Sequence, residues 1–218
     1  MELESEKKLL LIGGGGHCRS VLDTVLRCST YKEVGIIEKN TVLNDYSLPV
    51  IGTDDDLPAL LRCGWTDAFI TVGSVGDTTL RQRLYLMVLE LGFVVPAIID
   101  PSAVLASDAQ LAKGVFIGKR AVVNSGSVIE ECAIINTSAI IDHDCSIGAF
   151  SHISPGAVLC GQVTVGKYSH VGAGSVIRQG ITVGHDSTIG IGSVIVKDIP
   201  DNVVAYGNPC KVMRRSMA

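Results

Sequence analysis

From Ile99 to Ile195 every sixth residue is Ile, Leu or Val, through seventeen consecutive hexads with no miss and no insertion. The run opens Ile99, Leu105, Leu111, Ile117, Val123 and closes Val183, Ile189, Ile195. If about a quarter of residues were of these three types, chance would produce it in a given frame with a probability of roughly 10⁻¹⁰. A period of six belongs neither to an amphipathic helix nor to an alternating strand. It fits a parallel β-helix in which three short strands and three tight corners complete each coil. Seventeen hexads then make five coils and two further faces. The aliphatic residue points inward, and a small residue four positions later (Ala103, Ala121, Ser127, Ala139, Ser151, Ser169, Ser175) sits where the wall turns. Glycine often follows the aliphatic residue, as at Gly118, Gly148, Gly166 and Gly190, where it is expected to give the corners backbone freedom.

Composition agrees with a narrow prism. Of 218 residues, 47% are apolar and 24 are Gly, yet only 5% are aromatic, so the core must be built from Ile, Val, Leu and Ala. With 18 Lys+Arg against 22 Asp+Glu, the net charge of −4 argues against a nucleic-acid surface. A mean hydropathy of +0.39 raises the question of a membrane. The longest stretch without acidic or basic residues, Cys145 to Gly166, is broken by serines, His152, Pro155 and Gln162, so no spanning helix is expected. The acidic start, Met1 to Lys8, is unlike a signal peptide. Seven cysteines, an odd number without CxxC pairs, fit reduced thiols and no zinc ribbon. These features predict a soluble, cytoplasmic protein.

The first 98 residues have another texture. Lys8 to Ile12 reads as a strand, Gly13 to Gly16 as a turn, and Arg19 to Leu26 as a helix. Val34 to Ile37 and Ala68 to Val72 read as strands, Asp54 to Leu57 as an acidic helix start, and Thr78 to Leu91 as a helix. Alternation of this kind predicts a parallel sheet with helices, a Rossmann-like α/β domain over residues 1–98. The left-handed β-helix would then span 99–199. Residues 200–218, with Pro200 and a Gly207-Asn208-Pro209 turn, would leave the repeat as a short tail. The glycine turn offers backbone N–H groups and a helix N-terminus to a phosphate. Gly13 and Gly15 fit G-x-G, but Cys18 stands where a third Gly would be. Glu38 ends the second strand, where a ribose ligand would lie. A nucleotide moiety fits this turn, and so does a tight β–α turn with no ligand.

The β-helix half carries a sharper constellation in Asp142-His143-Asp144, followed by Ser151-His152-Ile153-Ser154-Pro155-Gly156. An imidazole between two carboxylates suits a general base, because one carboxylate can orient the ring and stabilise its protonated form. One coil beyond His143 stands Gly161, which places a backbone N–H with no side chain over the base, suited to hold a thioester oxyanion. One coil beyond His152 stands His170. His143 and His152 are half a circuit apart, so they can meet only across a subunit interface, as in a threefold trimer of prisms. The histidine spacings do not give the three-histidine zinc site of γ-class carbonic anhydrases, and no metal is expected. Cys160, beside Gly161, admits a covalent acyl-cysteine or a packed small hydrophobe.

At these residues the chain resembles the hexapeptide-repeat acyltransferases with a small N-terminal Rossmann-like domain, comprising sialic acid O-acetyltransferases and nucleotide-amino-sugar N-acetyltransferases. The resemblance runs through Ile12 to His17, Gly35 to Glu38, Pro49 to Gly52, Ile134 to Cys145, Ser151 to Ala157 and Gly207 to Lys211. It implies that His143 is the general base, assisted by Asp144. It implies that His152 contacts acetyl-CoA near its thioester, and that Gly161 offers its amide to the acetyl carbonyl. The basic end around Lys211 and Arg214 would meet the coenzyme A phosphates. The acceptor side would comprise Gly13, Gly14, Gly15, Gly16, His17, Glu38, Lys39 and Gly73. Two departures fall on that side: Glu38 is followed by Lys39 where the family often has a second acid, and Gly73 is followed by Ser74-Val75-Gly76-Asp77 where it often has a Gly-Asp/Asn-Asn segment. The expected activity is direct acetyl transfer to the amino group of a nucleotide-linked amino sugar by a homotrimer with inter-subunit sites. O-acetylation of sialic acid and a non-catalytic prism are the alternatives.

Overall fold

The computed structural model describes residues 7–39 and 49–216, which leaves most of the acidic N-terminal segment outside the described residues. The chain forms two compact units. The first takes residues to Gly73 and then Thr79–Ile98; the second takes Ser74–Thr78 and then Ile99 onward. The excursion of Ser74–Thr78 into the second unit has no counterpart in the sequence pattern.

In the first unit, β1 (Lys8–Ile12), β2 (Glu33–Ile37), β3 (Val50–Gly52) and β4 (Asp67–Ile70) form a parallel sheet in the order β3-β2-β1-β4. Central β1 is apolar because it is covered on both faces; Leu9, Leu10, Leu11 and Ile12 are all buried. Helices α1 (Gly16–Cys28), α2 (Leu57–Arg62) and α3 (Thr79–Leu91) complete the unit. The acidic run Asp54–Asp56 is a single 3₁₀ turn ahead of α2, closed by a capping box between Thr53 and Asp56. Strand β3 has no alternating pattern to reveal it in sequence. At Gly35 on β2 an added Cβ would strike the Ile51 side chain, so glycine there lets β3 pack close.

The second unit carries seventeen two-residue strands, from β5 (Ile98–Ile99) to β21 (Val194–Ile195), one for each hexad. Each pairs in parallel with the strand three further on, which sorts them into three sheets. We call these the first, second and third faces, after β5, β6 (Val104–Leu105) and β7 (Gln110–Leu111). The inward residues from Ile117 to Ile195 are essentially inaccessible to solvent, and the core they build contains no aromatic side chain. Such a column stabilises the prism by about 1.5–3 kcal/mol per fully buried aliphatic side chain.

The corners obey two separate rules. Every sixth residue from Gly114 to Gly192 has a left-handed backbone conformation, and eight of these fourteen positions are not glycine, including Arg120, Asp144, Phe150 and Tyr168. The glycines that follow the aliphatic residue are not these corner residues. Gly118, Gly148, Gly166 and Gly190 have ordinary φ values, and a Cβ on each would run into the next coil, 2.6 Å from His185 N in the case of Gly166. They permit close stacking, whereas the sequence alone suggested backbone freedom. The small serines also have a defined task. The Ser151 hydroxyl donates to Gly166 O (2.7 Å) and accepts from Ser169 N (3.3 Å). Ser169 repeats the pattern with Gly184 O (2.6 Å) and Ser187 N (3.0 Å). Each hydroxyl satisfies buried backbone groups that would otherwise cost about 1–3 kcal/mol apiece.

Residues after 199 do not simply leave the prism as a tail. Strand β22 (Val203–Tyr206) joins the first face in parallel beside β20 (Thr188–Ile189), and β23 (Lys211–Arg215) returns antiparallel to it. Val203 and Ala205 bury their side chains as the hexad residues do, so the face continues although the period has ended. Among the described residues, no helix is long and apolar enough to cross a membrane, and no cluster of His, Cys, Asp or Glu could hold a metal ion. All seven cysteines are free thiols.

The two kinds of glycine are separable by substitution. Gly166→Ala forces a Cβ against backbone and should lose about 1–3 kcal/mol in denaturant unfolding. Gly174, with φ +65° and no atom within 4 Å of an added Cβ, should accept Asn with little loss, since Asn tolerates the left-handed region. Equal losses would show that stacking distance is not what selects glycine at Gly166.

Candidate active site

His143 stands at the corner that follows β12 (Ile140–Ile141) on the second face. Its two acidic neighbours act on different parts of it. Asp142 Oδ1 accepts the His143 backbone N–H (2.8 Å) and the Asn124 side-chain amide (3.1 Å), which holds the corner's main chain. Asp144, with φ 57°, folds back so that its Oδ2 lies 2.9 Å from His143 Nδ1. An ionised carboxylate only accepts, so Nδ1 carries the proton and Nε2 presents a lone pair. The Asp144 hydrogen bond raises the His143 pKa above the usual value; partial desolvation opposes it, and the charges of Asp142 and Asp144 add to it. The ring remains half exposed.

Two glycines one coil away make this arrangement possible. A Cβ on Gly126 would lie 2.5 Å from Asp144 Oδ1. A Cβ on Gly161 would meet the His143 ring at Nε2, and at Cε1 within 2.5 Å. Coil register is held there by Gln162 N, which donates to His143 O (2.8 Å). The backbone of Gly161 therefore approaches the basic edge of the imidazole without a side chain between them.

His152 lies on β14 (His152–Ile153) of the first face, directly below His170 on β17 (His170–Val171). The rings meet edge to face, with centroids 5.0 Å apart. Asn136 Oδ1 accepts from Thr137 N (2.8 Å), which turns the Asn136 amide nitrogen toward His152 Nε2, 3.0 Å away. That nitrogen only donates, so Nε2 must accept and the ring proton sits on Nδ1. Nδ1 in turn donates to Ser74 O (3.1 Å). Burial lowers the His170 pKa, so two cationic rings are not stacked. His185 Nδ1 accepts from Lys167 N (3.0 Å), a corner contact rather than a site. Cys160 gives its carbonyl to Cys145 Sγ (3.3 Å). Lys211 is exposed on β23, in the same strand as Arg214.

The acceptor-side candidates of the first unit gather at the carboxyl ends of β1, β2 and β4, where the sheet order reverses direction and doubly wound folds bind ligands. A cleft of about 250 Å³ there is lined by Gly13, Glu38, Lys39, Asp54, Val72 and Arg83, among others. Gly13 has φ +103°, and a Cβ on it would strike Val72, so only glycine fits this turn. No side chain caps α1 at Gly15, and nothing lies within 4 Å of a Cβ on Gly15 or Gly16. Glu38 Oε2 accepts from Gly14 N (2.6 Å), so the carboxylate also secures the glycine turn. Lys39 pairs with Asp54 (3.3 Å). His17 packs beside Gly73, its Nε2 shut away from solvent. Burial, and then the Arg81 charge, hold its pKa down to about 4. Asn124, Asn136 and Arg83 have no signature in one sequence; only the three-hexad register could have placed Asn124 one coil from Asp142.

Comparison with known proteins matches each unit. The PglD N-terminal domain matches residues 8–88, and the bacterial transferase hexapeptide model (six repeats) matches residues 144–179. PerB from Caulobacter crescentus, solved in complex with CoA and GDP-perosamine, is 36% identical over 94% of this chain and 97% of its own, with a TM-score of 0.88. The acetyltransferase domain of PglB from Neisseria gonorrhoeae FA1090, solved in complex with acetyl coenzyme A, is 38% identical over 96% of this chain and 100% of its own, with a TM-score of 0.90. Identity at that level over nearly the whole of both relatives means that the chain belongs to the left-handed β-helix, hexapeptide-repeat sugar acetyltransferases with a PglD N-terminal domain, the family of the nucleotide-amino-sugar N-acetyltransferases.

Proposed function

We propose that this enzyme transfers the acetyl group of acetyl-CoA to the amino group of a nucleotide-linked amino sugar. One observation carries the reading: His143, its Nδ1 held by Asp144, presents Nε2 directly beneath the side-chain-free backbone of Gly161, so the neutral ring offers a lone pair there. The acceptor nitrogen attacks the thioester carbonyl while Nε2 takes its proton. The negative charge that forms on the carbonyl oxygen is met by the Gly161 N–H. Collapse of the tetrahedral intermediate expels coenzyme A as its thiolate, and the proton on His143 is available to it. Lys211 and Arg214 serve the coenzyme A phosphates. The nucleotide is held by Gly13 to Gly16, Glu38 and Lys39 in the first unit, with His17 and Gly73 shaping the turn. No metal has a part in this scheme. The relatives support the substrate class, since one was solved with CoA and GDP-perosamine and another with acetyl-CoA. The seven free thiols support a cytoplasmic enzyme.

A homotrimer with sites at its subunit interfaces is part of the same proposal. It is supported by the second face, whose outward residues from β6 to β21 are all aliphatic: Val104, Val122, Ile140, Val158, Val176 and Val194. The third face presents Gln110, Val128, Ser146, Thr164 and Thr182 at the matching positions, four polar residues and one aliphatic. Val104, Ile140 and Val176 are each more than a third exposed, an apolar row that a second copy of the chain would cover.

Four outcomes test the proposal. His143→Ala should abolish release of free coenzyme A from acetyl-CoA, against a panel of GDP-, UDP- and dTDP-linked amino sugars and free sialic acid, while acetyl-CoA binding by calorimetry persists. Turnover only with sialic acid would transfer the enzyme to O-acetylation, and turnover near the wild-type rate in the variant would remove His143 as base. Because the base works unprotonated and its pKa is raised, kcat/KM should fall with decreasing pH at a midpoint above the ordinary histidine value of 6.5. Asp144→Asn keeps an acceptor oxygen but loses the charge, so that midpoint should move to lower pH. Val176→Asp should yield a monomer in light scattering with greatly reduced activity; an active monomer would overturn the trimer.

A further inference from the structure

We propose that the cleft at the carboxyl ends of β1 and β2 selects a guanine nucleotide, with Lys39, Asp54 and Arg83 reading the edge of the base. The inference rests on the proposed function, in which the first unit holds a nucleotide-linked sugar, and it adds the identity of the nucleotide. The fold fixes where the base must lie. With a diphosphate at the glycine turn and a ribose at Glu38, the base lies beyond the end of β2, away from the phosphates. Glu38 accepts from Gly14 N, so the ribose and phosphate positions are tied to one another. The next residue of the chain is Lys39, and the cleft of about 250 Å³ that Gly13 and Glu38 line runs on to it, to Asp54 and to Arg83. Val72, Leu80 and Leu84 give the same cleft an apolar wall for a ring. A second hollow of about 520 Å³ shares Lys39, Asp54, Arg83 and Leu84 with the first, so a bicyclic base has room beside them.

The polar groups there have a definite pattern. Lys39 Nζ lies 3.3 Å from Asp54 Oδ2, which sets a donor and an acceptor side by side. Asp54 opens the 3₁₀ turn whose capping box closes on Thr53, and its side chain is only 20% exposed. Arg83, on α3, brings a second cation with N–H donors in a fixed fork to the same cleft. Among the described residues Lys39 and Asp54 pair only with each other, and the Arg83 guanidinium has no ion pair or hydrogen bond. Their capacity is therefore available to a ligand. Guanine is the base whose edge matches. It presents N7 and O6 as adjacent acceptors, to which Arg and Lys donate. Next to them stand N1–H and the N2 amino group, adjacent donors that a carboxylate accepts as a pair. Adenine and cytosine place an amino donor where O6 would be, against two cations. Uracil and thymine offer O4 to Lys39 and N3–H to Asp54, but their O2 then faces the carboxylate, and they have no N7 for Arg83.

Calorimetry with the full chain and free nucleotides tests the base apart from the transfer reaction. GDP should bind about 5- to 100-fold more tightly than UDP, dTDP or ADP, the discrimination that a bidentate base contact gives. Two analogues then probe single positions of the ring. IDP lacks only the N2 amino group, and 7-deaza-GDP has carbon in place of N7. Each should bind the wild-type chain about three- to tenfold more weakly than GDP, the size of one lost hydrogen bond. The penalty for IDP should disappear in Asp54→Ala and persist in Arg83→Ala, and the penalty for 7-deaza-GDP should do the reverse. The wild-type ranking needs no variant, so it decides the base even where a substitution unfolds the domain. Binding of UDP, dTDP or ADP as tight as that of GDP would overturn the guanine assignment and leave the nucleotide-sugar reading in place. Unchanged penalties in both variants would overturn the roles of Asp54 and Arg83. Binding of no nucleotide would overturn both this inference and the function on which it rests.

Discussion

The stacking of one coil on the next at a fixed three-hexad register is the constraint from which the rest of the second unit follows. Backbone hydrogen bonds run from each strand to the strand one coil further on, for example from Ile134 N to Ser151 O and from His152 N to Ser169 O. Nothing may intrude between neighbouring coils, which is why glycine stands where main chains touch and why serine hydroxyls complete the backbone pairing. The register also fixes the chemistry. A residue has one neighbour directly above and one directly below, so Gly161 over His143 and Gly126 beside Asp144 are consequences of the same stacking that buries Ile141 and Leu159. The site is a defect deliberately cut in a regular wall: two missing side chains admit a ring and a carboxylate.

Proton placement in that wall is governed by groups that can act in only one sense. Asp144 can only accept and so puts the His143 proton on Nδ1, which leaves Nε2 outward. The Asn136 amide nitrogen can only donate and so puts the His152 proton also on Nδ1, which aims it at a carbonyl. Two histidines with the same tautomer thus stand in different surroundings. The first offers its Nε2 lone pair at a half-exposed corner, and in the second both ring nitrogens have partners within the chain.

Much of this could be read before any coordinates. The hexads gave one strand each, and spacing alone put Gly161 above His143 and His170 above His152, because a solenoid converts sequence separation directly into distance. The division of labour between Asp142 and Asp144 was not readable, since it depends on a left-handed φ at Asp144 that turns the carboxylate back toward the ring. Nor was the meaning of the corner glycines, because a clash with the next coil and a positive φ leave the same letter in the sequence. Strand β3 and the continuation of the first face by Val203 and Ala205 escaped because both are set by pairing with a neighbour and not by a period. On the acceptor side, Ser74–Thr78 carries no periodic signal that would have grouped it with the prism.

The contrast among the histidines explains why the chemistry resides at a corner. Burial and the Arg81 charge keep His17 at about 4, and burial lowers His170, so both take up a proton less readily than a free imidazole. His143 is only partly desolvated, because a corner side chain points away from both the core and the adjoining faces. There the Asp144 hydrogen bond, aided by the charges of Asp142 and Asp144, moves its pKa upward and makes the imidazole a better proton acceptor. An inward position would have bound the ring in hydrocarbon, and a flat face offers no backbone N–H across from it. The corner supplies both solvent access for the proposed base and, one coil above, an amide with no side chain in the way. The prism thus allows the imidazole and the backbone N–H to which these roles are proposed to be set about one inter-coil spacing apart by main-chain geometry alone.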